Sequence, residues 1–101
     1  MAKNQERYLF GVDARVLLLL LEHGEIARSA FSKKYGVTYS GANNALLSFR
    51  EKGLTDFEEH GDFRDTMVWR LTPKGEKVAR MLAELVDIIE ENGGAREWKR
   101  L

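Results

Sequence analysis

Three glycines cut the first half of the chain into segments that suit only short, compact helices. Gly24, Gly36 and Gly53 each close a run whose apolar residues recur at helical spacing. Glycine ends helices readily because it enters the left-handed region without a Cβ penalty. The first run, Ala14 to Glu22, is rich in leucine, a strong helix former, and Asp13 stands where an N-cap belongs. The second run puts Ile26, Ala27, Ala30, Phe31 and Tyr35 at helical spacing and stops at Gly36. The third is capped by Thr38 or Ser40. Ala42, Ala45, Leu46 and Phe49 form its apolar face, and Gly53 ends it.

Past Gly53 the pattern changes. Leu54 and Asp56, then Met67, Trp69 and Leu71, mark two strands, Leu54 to Glu59 and Phe63 to Leu71, with a turn at Gly61-Asp62. Thr72-Pro73 opens a last helix: threonine caps it, and proline sits at the first helical position, where its missing N–H costs nothing. That helix runs from about Pro73 to Asn92 and ends at Gly93-Gly94. The order is helix, helix, helix, hairpin, helix: a mainly α chain with a small β-hairpin.

Composition narrows the function. A chain of 101 residues with 44 % hydrophobic content suits one domain with one modest core. There is no cysteine, which excludes disulfides, thiol nucleophiles and thiolate metal sites. The longest apolar run, Val16 to Leu21, is far short of the ~18 residues of a membrane span. The N-terminal residues lack the apolar stretch of a signal peptide, so a cytoplasmic protein without a membrane partner is expected. No metal-ligand spacing, phosphate-cradling loop or nucleophile motif is present. His23 and His60 lie far apart with no partner pattern. Neither an enzyme nor a bound cofactor or metal is expected.

Sixteen basic side chains balance sixteen acidic ones, but unevenly. Residues 1–53 carry eight basic and five acidic groups, residues 54–92 five and ten, and residues 93–101 three and one. A basic half joined to an acidic half hints at a nucleic-acid face.

Three stretches carry a family resemblance. Phe31-Ser32-Lys33-Lys34-Tyr35-Gly36-Val37-Thr38 resembles the second helix and turn of a winged helix-turn-helix domain, with Ala42 and Ala45 at the small positions where the two helices touch. Leu46 to Leu54 resembles a recognition helix running into the first wing strand. Trp69-Arg70-Leu71-Thr72-Pro73-Lys74-Gly75 resembles the passage from the second wing strand to the next helix in MarR-like and PadR-like transcription regulators. The similarity covers about residues 12–92. Two positions depart from the pattern: Ser32, where alanine is commoner, and Leu47, where the family usually exposes a polar residue.

The resemblance implies one winged-helix domain over residues 1–92: an arm to residue 11, the helix-turn-helix and wing over 12–72, a dimerisation helix over 73–92, then a short tail, 93–101. It implies a regulator that binds double-stranded DNA, with the recognition helix, about Ser40 to Lys52, in the major groove. The wing, about Leu54 to Leu71, would touch the adjacent backbone or minor groove. The outer face of that helix then holds Ser40, Asn43, Asn44, Leu47 and Ser48 as base readers. Asparagine can pair bidentately with adenine, serine can contact several bases, and leucine can meet a thymine methyl. Arg28, Lys33, Lys34, Thr38 and Tyr39 gather where this fold crosses phosphates, and Arg64 lies near the wing tip among Asp62, Asp65, Glu58 and Glu59. Relatives often bind small ligands between the dimer helix and the DNA-binding lobe, but nothing in this sequence marks such an effector pocket.

The last helix suggests a second copy of the chain. Val78, Met81, Leu82, Leu85, Val86, Ile88 and Ile89 cover roughly half its circumference, more than the ~100° one core needs. The leucines of the first helix, Leu17 and Leu18 among them, also wrap beyond one side. Both excesses predict a two-fold homodimer through the last helix, with help from the first helix and Tyr8-Leu9-Phe10. Trp98 in the tail could dock on the partner. The acidic wing and zero net charge suit a second reading, a winged-helix module that binds protein within a transcription or chromatin assembly.

Overall fold

The structure, a computed structural model, describes residues 10–59 and 67–91. In chain order the elements are α1 (Gly11–His23), β1 (Glu25–Ala27), α2 (Ala30–Lys33), α3 (Tyr39–Glu51), β2 (Thr55–Glu59), β3 (Met67–Leu71) and α4 (Pro73–Glu91). The expected hairpin turn at Gly61-Asp62 lies outside the described residues, as do Tyr8, Leu9, His60, Phe63, Arg64, Asp65, Asn92 and the tail with Trp98.

The two-stranded hairpin expected from the sequence is a three-stranded antiparallel sheet in the order β1-β3-β2. Ile26 and Ala27, assigned to a second helix by their spacing, lie in β1 opposite Trp69 and Val68. Three residues are too few to display a strand period. What recruits them is the outer edge of β3, whose N–H and C=O groups need partners. The Arg28 N–H continues the pairing to the Met67 carbonyl at 3.0 Å. The second helix therefore shrinks to Ala30–Lys33.

The first helix begins earlier than its cap signal predicts. Its N-cap is Phe10, in the left-handed region at φ 67°, with no side-chain cap. Asp13 lies in the first turn, where a carboxylate faces the positive end of the helix. At α3, Thr38 rather than Ser40 is the cap: its Oγ1 accepts from the Gly41 N–H at 3.1 Å.

The core forms where α1, α2, α3 and the sheet meet. Val16, Leu20, Phe31, Val37, Leu46 and Trp69 are fully buried. Trp69 occupies the middle strand, and its ring packs tilted against Phe57 of β2 at 4.9 Å between centroids. Thr55 is the buried polar residue at the α3–β2 boundary, and its hydroxyl donates to the Leu46 carbonyl at 3.0 Å. A paired hydroxyl avoids the ~1–3 kcal/mol cost of an orphaned one.

One junction fixes α3 and α4 relative to each other. The Leu54 N–H donates to the Phe49 carbonyl (2.8 Å) and the Gly53 N–H to that of Arg50 (3.0 Å), a Schellman motif with Gly53 at φ 79°. The same turn receives α4. The Thr72 N–H donates to the Leu54 carbonyl, its hydroxyl donates to the Gly53 carbonyl at 2.6 Å, and Lys74 Nζ donates to the Lys52 carbonyl at 3.0 Å. Thr72 Oγ1 also accepts from the Gly75 N–H at 3.0 Å, so it is the α4 cap expected from the sequence. A side chain at Gly75 would run into the Leu54 backbone carbonyl, so the approach of α4 to this turn requires glycine.

Candidate nucleic-acid interface

The helix-turn-helix is built from α2, a turn and α3. Phe31 and Val37 are buried on either side of the turn, and the Val37 N–H reaches the Phe31 carbonyl at 2.9 Å. The buried ends of the turn hold α3 against α1 and α2 through Ala42, Ala45 and Leu46. Small residues at 42 and 45 allow the close approach that leaves the rest of α3 outside. Ser32, the departure from the usual alanine, is exposed, and its hydroxyl donates to the Ser29 carbonyl at 3.3 Å. The hydroxyl is thus accommodated without burial.

At about 100° per residue, Ser40, Asn44, Leu47, Ser48 and Glu51 fall in one stripe about 100° wide. All five are exposed, whereas Asn43 at the stripe's edge is half-buried. Leu47 is 44 % exposed despite its apolar side chain. These five residues therefore form one continuous solvent-facing stripe.

The expected cations are partly gathered. Arg28 lies over the ring of Tyr39, 5.4 Å from its centroid, which joins the end of β1 to the first turn of α3. Lys33 and Lys34 are exposed at the end of α2, and Thr38 and Tyr39 are exposed at the α3 N-terminus. Arg64 lies outside the described residues. The described part of the wing carries exposed acids at Asp56, Glu58 and Glu59.

Arg50 and Lys52 were not singled out from the sequence, yet they decide the charge of this surface. The Arg50 guanidinium lies 4.7 Å from the Phe57 ring centroid and 3.9 Å from Asp56 Oδ1. It turns toward the wing, roughly 120° from Asn44 on the helix. Lys52, just past the last turn, donates to Ser48 Oγ at 3.4 Å. Arg70 of β3 bridges Glu25 of β1 (3.4 Å) and Glu58 of β2 (3.3 Å). These pairings depend on strands meeting across the sheet, which sequence spacing does not encode. His23, which has no catalytic partner pattern in the sequence, stacks on Tyr35 at 4.9 Å and ties the end of α1 to the turn.

The last helix presents the other surface. Met81, Leu85, Ile88 and Ile89 are 65, 46, 60 and 40 % exposed, Val78 is also exposed, and Leu82 and Val86 are half-buried. Gly75 and Ala79 are its buried residues. Leu17, expected at a subunit interface, is 5 % exposed within the single chain, and Leu18 is half-buried. The reason is that α4 packs along α1 and covers it. Among the described residues no group of acids and histidines could hold a metal ion, and no helix is long and apolar enough to cross a membrane.

Together the α2–turn–α3 unit and the three-stranded sheet define a winged helix-turn-helix domain. No family model matches the chain, and no curated protein does. Solved structures do. An apo-form variant of ZitR from Lactococcus lactis matches at a TM-score of 0.72 and 19 % identity, over 87 % of this chain and 66 % of that one. BpsR from Bordetella bronchiseptica, whose DNA binding is regulated by 6-hydroxynicotinic acid, matches at 0.71 and 15 % identity, over 86 % and 62 %. A MarR family regulator from Neisseria meningitidis matches at 0.69 and 19 % identity, over 92 % and 65 %. The fold is thus the winged helix-turn-helix of MarR-type regulators. The chain spans about two thirds of the length of these proteins.

Proposed function

We propose that the chain is a DNA-binding transcription regulator that works as a homodimer. The observation that carries this reading is the exposed stripe of α3. It projects from a helix whose other face is locked into the core, and its Ser40, Asn44 and Ser48 supply hydrogen-bonding groups of the kind that read base edges. Lys33 and Lys34 flank it as phosphate contacts, and Arg28 with Tyr39 closes the same side. The fold shared with BpsR and ZitR supports the reading.

The dimer is proposed through α4. Its exposed Met81, Leu85, Ile88 and Ile89 form a stripe on one side, and a contiguous apolar stripe on a small domain marks a partner site. A two-fold axis along this face would let two α3 helices address half-sites about 34 Å apart. Leu17 stays inside the chain in this arrangement.

An effector is not assigned. BpsR is regulated by 6-hydroxynicotinic acid, and a similar NadR structure holds 4-hydroxyphenylacetate. The cleft in this chain beside Leu20, Glu25, Arg70 and Glu76 has a volume of about 260 Å³. Its arginine already bridges two carboxylates, so an anionic guest would have to displace one of them.

The test is a gel shift of the purified chain on the DNA upstream of its own gene across a salt series. Binding that weakens steeply with salt is expected. No shift at low salt would favour a protein-binding module instead, the reading suited to the exposed acids Asp56, Glu58 and Glu59 of the wing strand.

A further inference from the structure

We infer that α3 selects half-sites rich in A·T pairs, and that Leu47 reads the methyl group of thymine. The inference rests on the DNA-binding reading above and concerns which bases that same surface accepts.

Guanine is recognised in the major groove chiefly by a two-pronged donor, an arginine or lysine aimed at O6 and N7. The reading stripe of α3 has no such donor in its first three turns. Arg50 is one of the two cations of α3 and its C-cap; it lies over the Phe57 ring and beside Asp56, about 60° round the helix from Leu47, with which it lines a shallow depression. Lys52 is the other. It lies past the last turn and donates to Ser48 Oγ at the C-terminal end of the stripe, beyond the N-terminal residues that enter the groove in this docking mode.

What the stripe does offer is complementary to A·T pairs. Asn44 is exposed and can donate to adenine N7 while accepting from N6. Leu47 follows one turn later, 44 % exposed, at the edge of the stripe, with Glu51, Asn44 and Ser48 on one side of it. An apolar side chain among polar ones, facing water in the free protein, has a ready partner in the one apolar group of the major groove, the thymine C5 methyl. Glu51 completes the stripe as an acceptor and adds no affinity for guanine O6 or N7.

The experiment uses the full chain and a random-sequence duplex library. Selected half-sites should be dominated by adenine and thymine. The selected duplex is then remade with deoxyuridine for thymidine, which removes methyl groups and leaves the protein untouched. Wild-type binding should weaken about fourfold for each contacted methyl, the equivalent of one buried CH2-sized group. The Leu47→Ala protein should bind both duplexes alike, and because Leu47 is exposed its stability should match the wild type.

Half-sites anchored by guanine would overturn the inference. So would wild-type indifference to uracil, or continued uracil sensitivity in Leu47→Ala. In each of those cases salt-dependent binding would persist, and the regulator reading would stand. Enrichment of no sequence, together with no salt-dependent shift, would overturn both.

Discussion

The helices α3 and α4 are anchored to the same turn yet finish with opposite surfaces. On α3 the apolar residues Ala42, Ala45 and Leu46 are all spent on the core, and the outer stripe is polar apart from Leu47. On α4 only Gly75 and Ala79 are buried, and the large residues Met81, Leu85, Ile88 and Ile89 face outward. A polar stripe can exchange water for hydrogen bonds with base edges, whereas an apolar stripe gains most by being covered with another apolar surface. The difference teaches that similar amphipathic helices acquire different roles from how much of their apolar arc the subunit consumes. In α3 the arc is narrow and fully used, and in α4 it is wide and about half of it is left over.

The comparison breaks most easily at Leu85. Leu85→Arg would place an unpaired charge in each copy of the proposed α4 interface, at a cost of several kcal/mol per ion. Dimerisation should weaken about 1000-fold or more, and sedimentation should show monomers. If the variant still sediments as a dimer, the exposed stripe of α4 has another purpose. The isolated monomer should still show base preference on a single half-site, since α3 is untouched.

Gly75→Ala attacks the anchor that both helices share. A methyl group there meets the Leu54 carbonyl, so the turn or the root of α4 must shift. A loss of about 1–3 kcal/mol is expected, read as a lower midpoint in urea denaturation. An unchanged midpoint would show that the contact of α4 with the α3–β2 turn is looser than the structure draws it.

Asn44→Ala sharpens the α3 side. Specific DNA binding should fall by about 1–3 kcal/mol, the size of a lost bidentate base contact, while the oligomeric state stays the same. Equal binding by variant and wild type to the selected site would remove Asn44 from the reading surface. The smallest effect is expected from Thr38→Ala, which leaves the Gly41 N–H without its cap. About 1 kcal/mol of stability should be lost, a drop of roughly 4–8 °C in Tm for a domain of this size.

Much of this arrangement was legible in the residues because its signals are local. Gly24 and Gly53 end helices by a backbone preference that acts within one turn, whereas α2 stops at Lys33, before Gly36; Thr38 and Thr72 cap by bonding N–H groups three residues away. The exposed stripe of α3 followed from periodicity alone. The missed features all need partners distant in sequence. β1 exists because Ile26 meets Trp69, more than forty positions later. Arg50 meets Phe57 and Asp56 only once β2 folds back beside α3. Leu17 looked surplus to one core until α4 was laid along α1.

The sequence by itself determined the threonine caps of α3 and α4, the glycine stops of α1 and α3, and the kind of domain these pieces compose. Those are properties of short-range sterics, hydrogen bonding and periodicity. Only the tertiary structure decided that the wing has a third strand, that Leu17 is interior, and that α3 presents a stripe whose nearest arginine is engaged elsewhere. Such outcomes depend on which surfaces remain after packing, and packing joins residues that no local spacing relates.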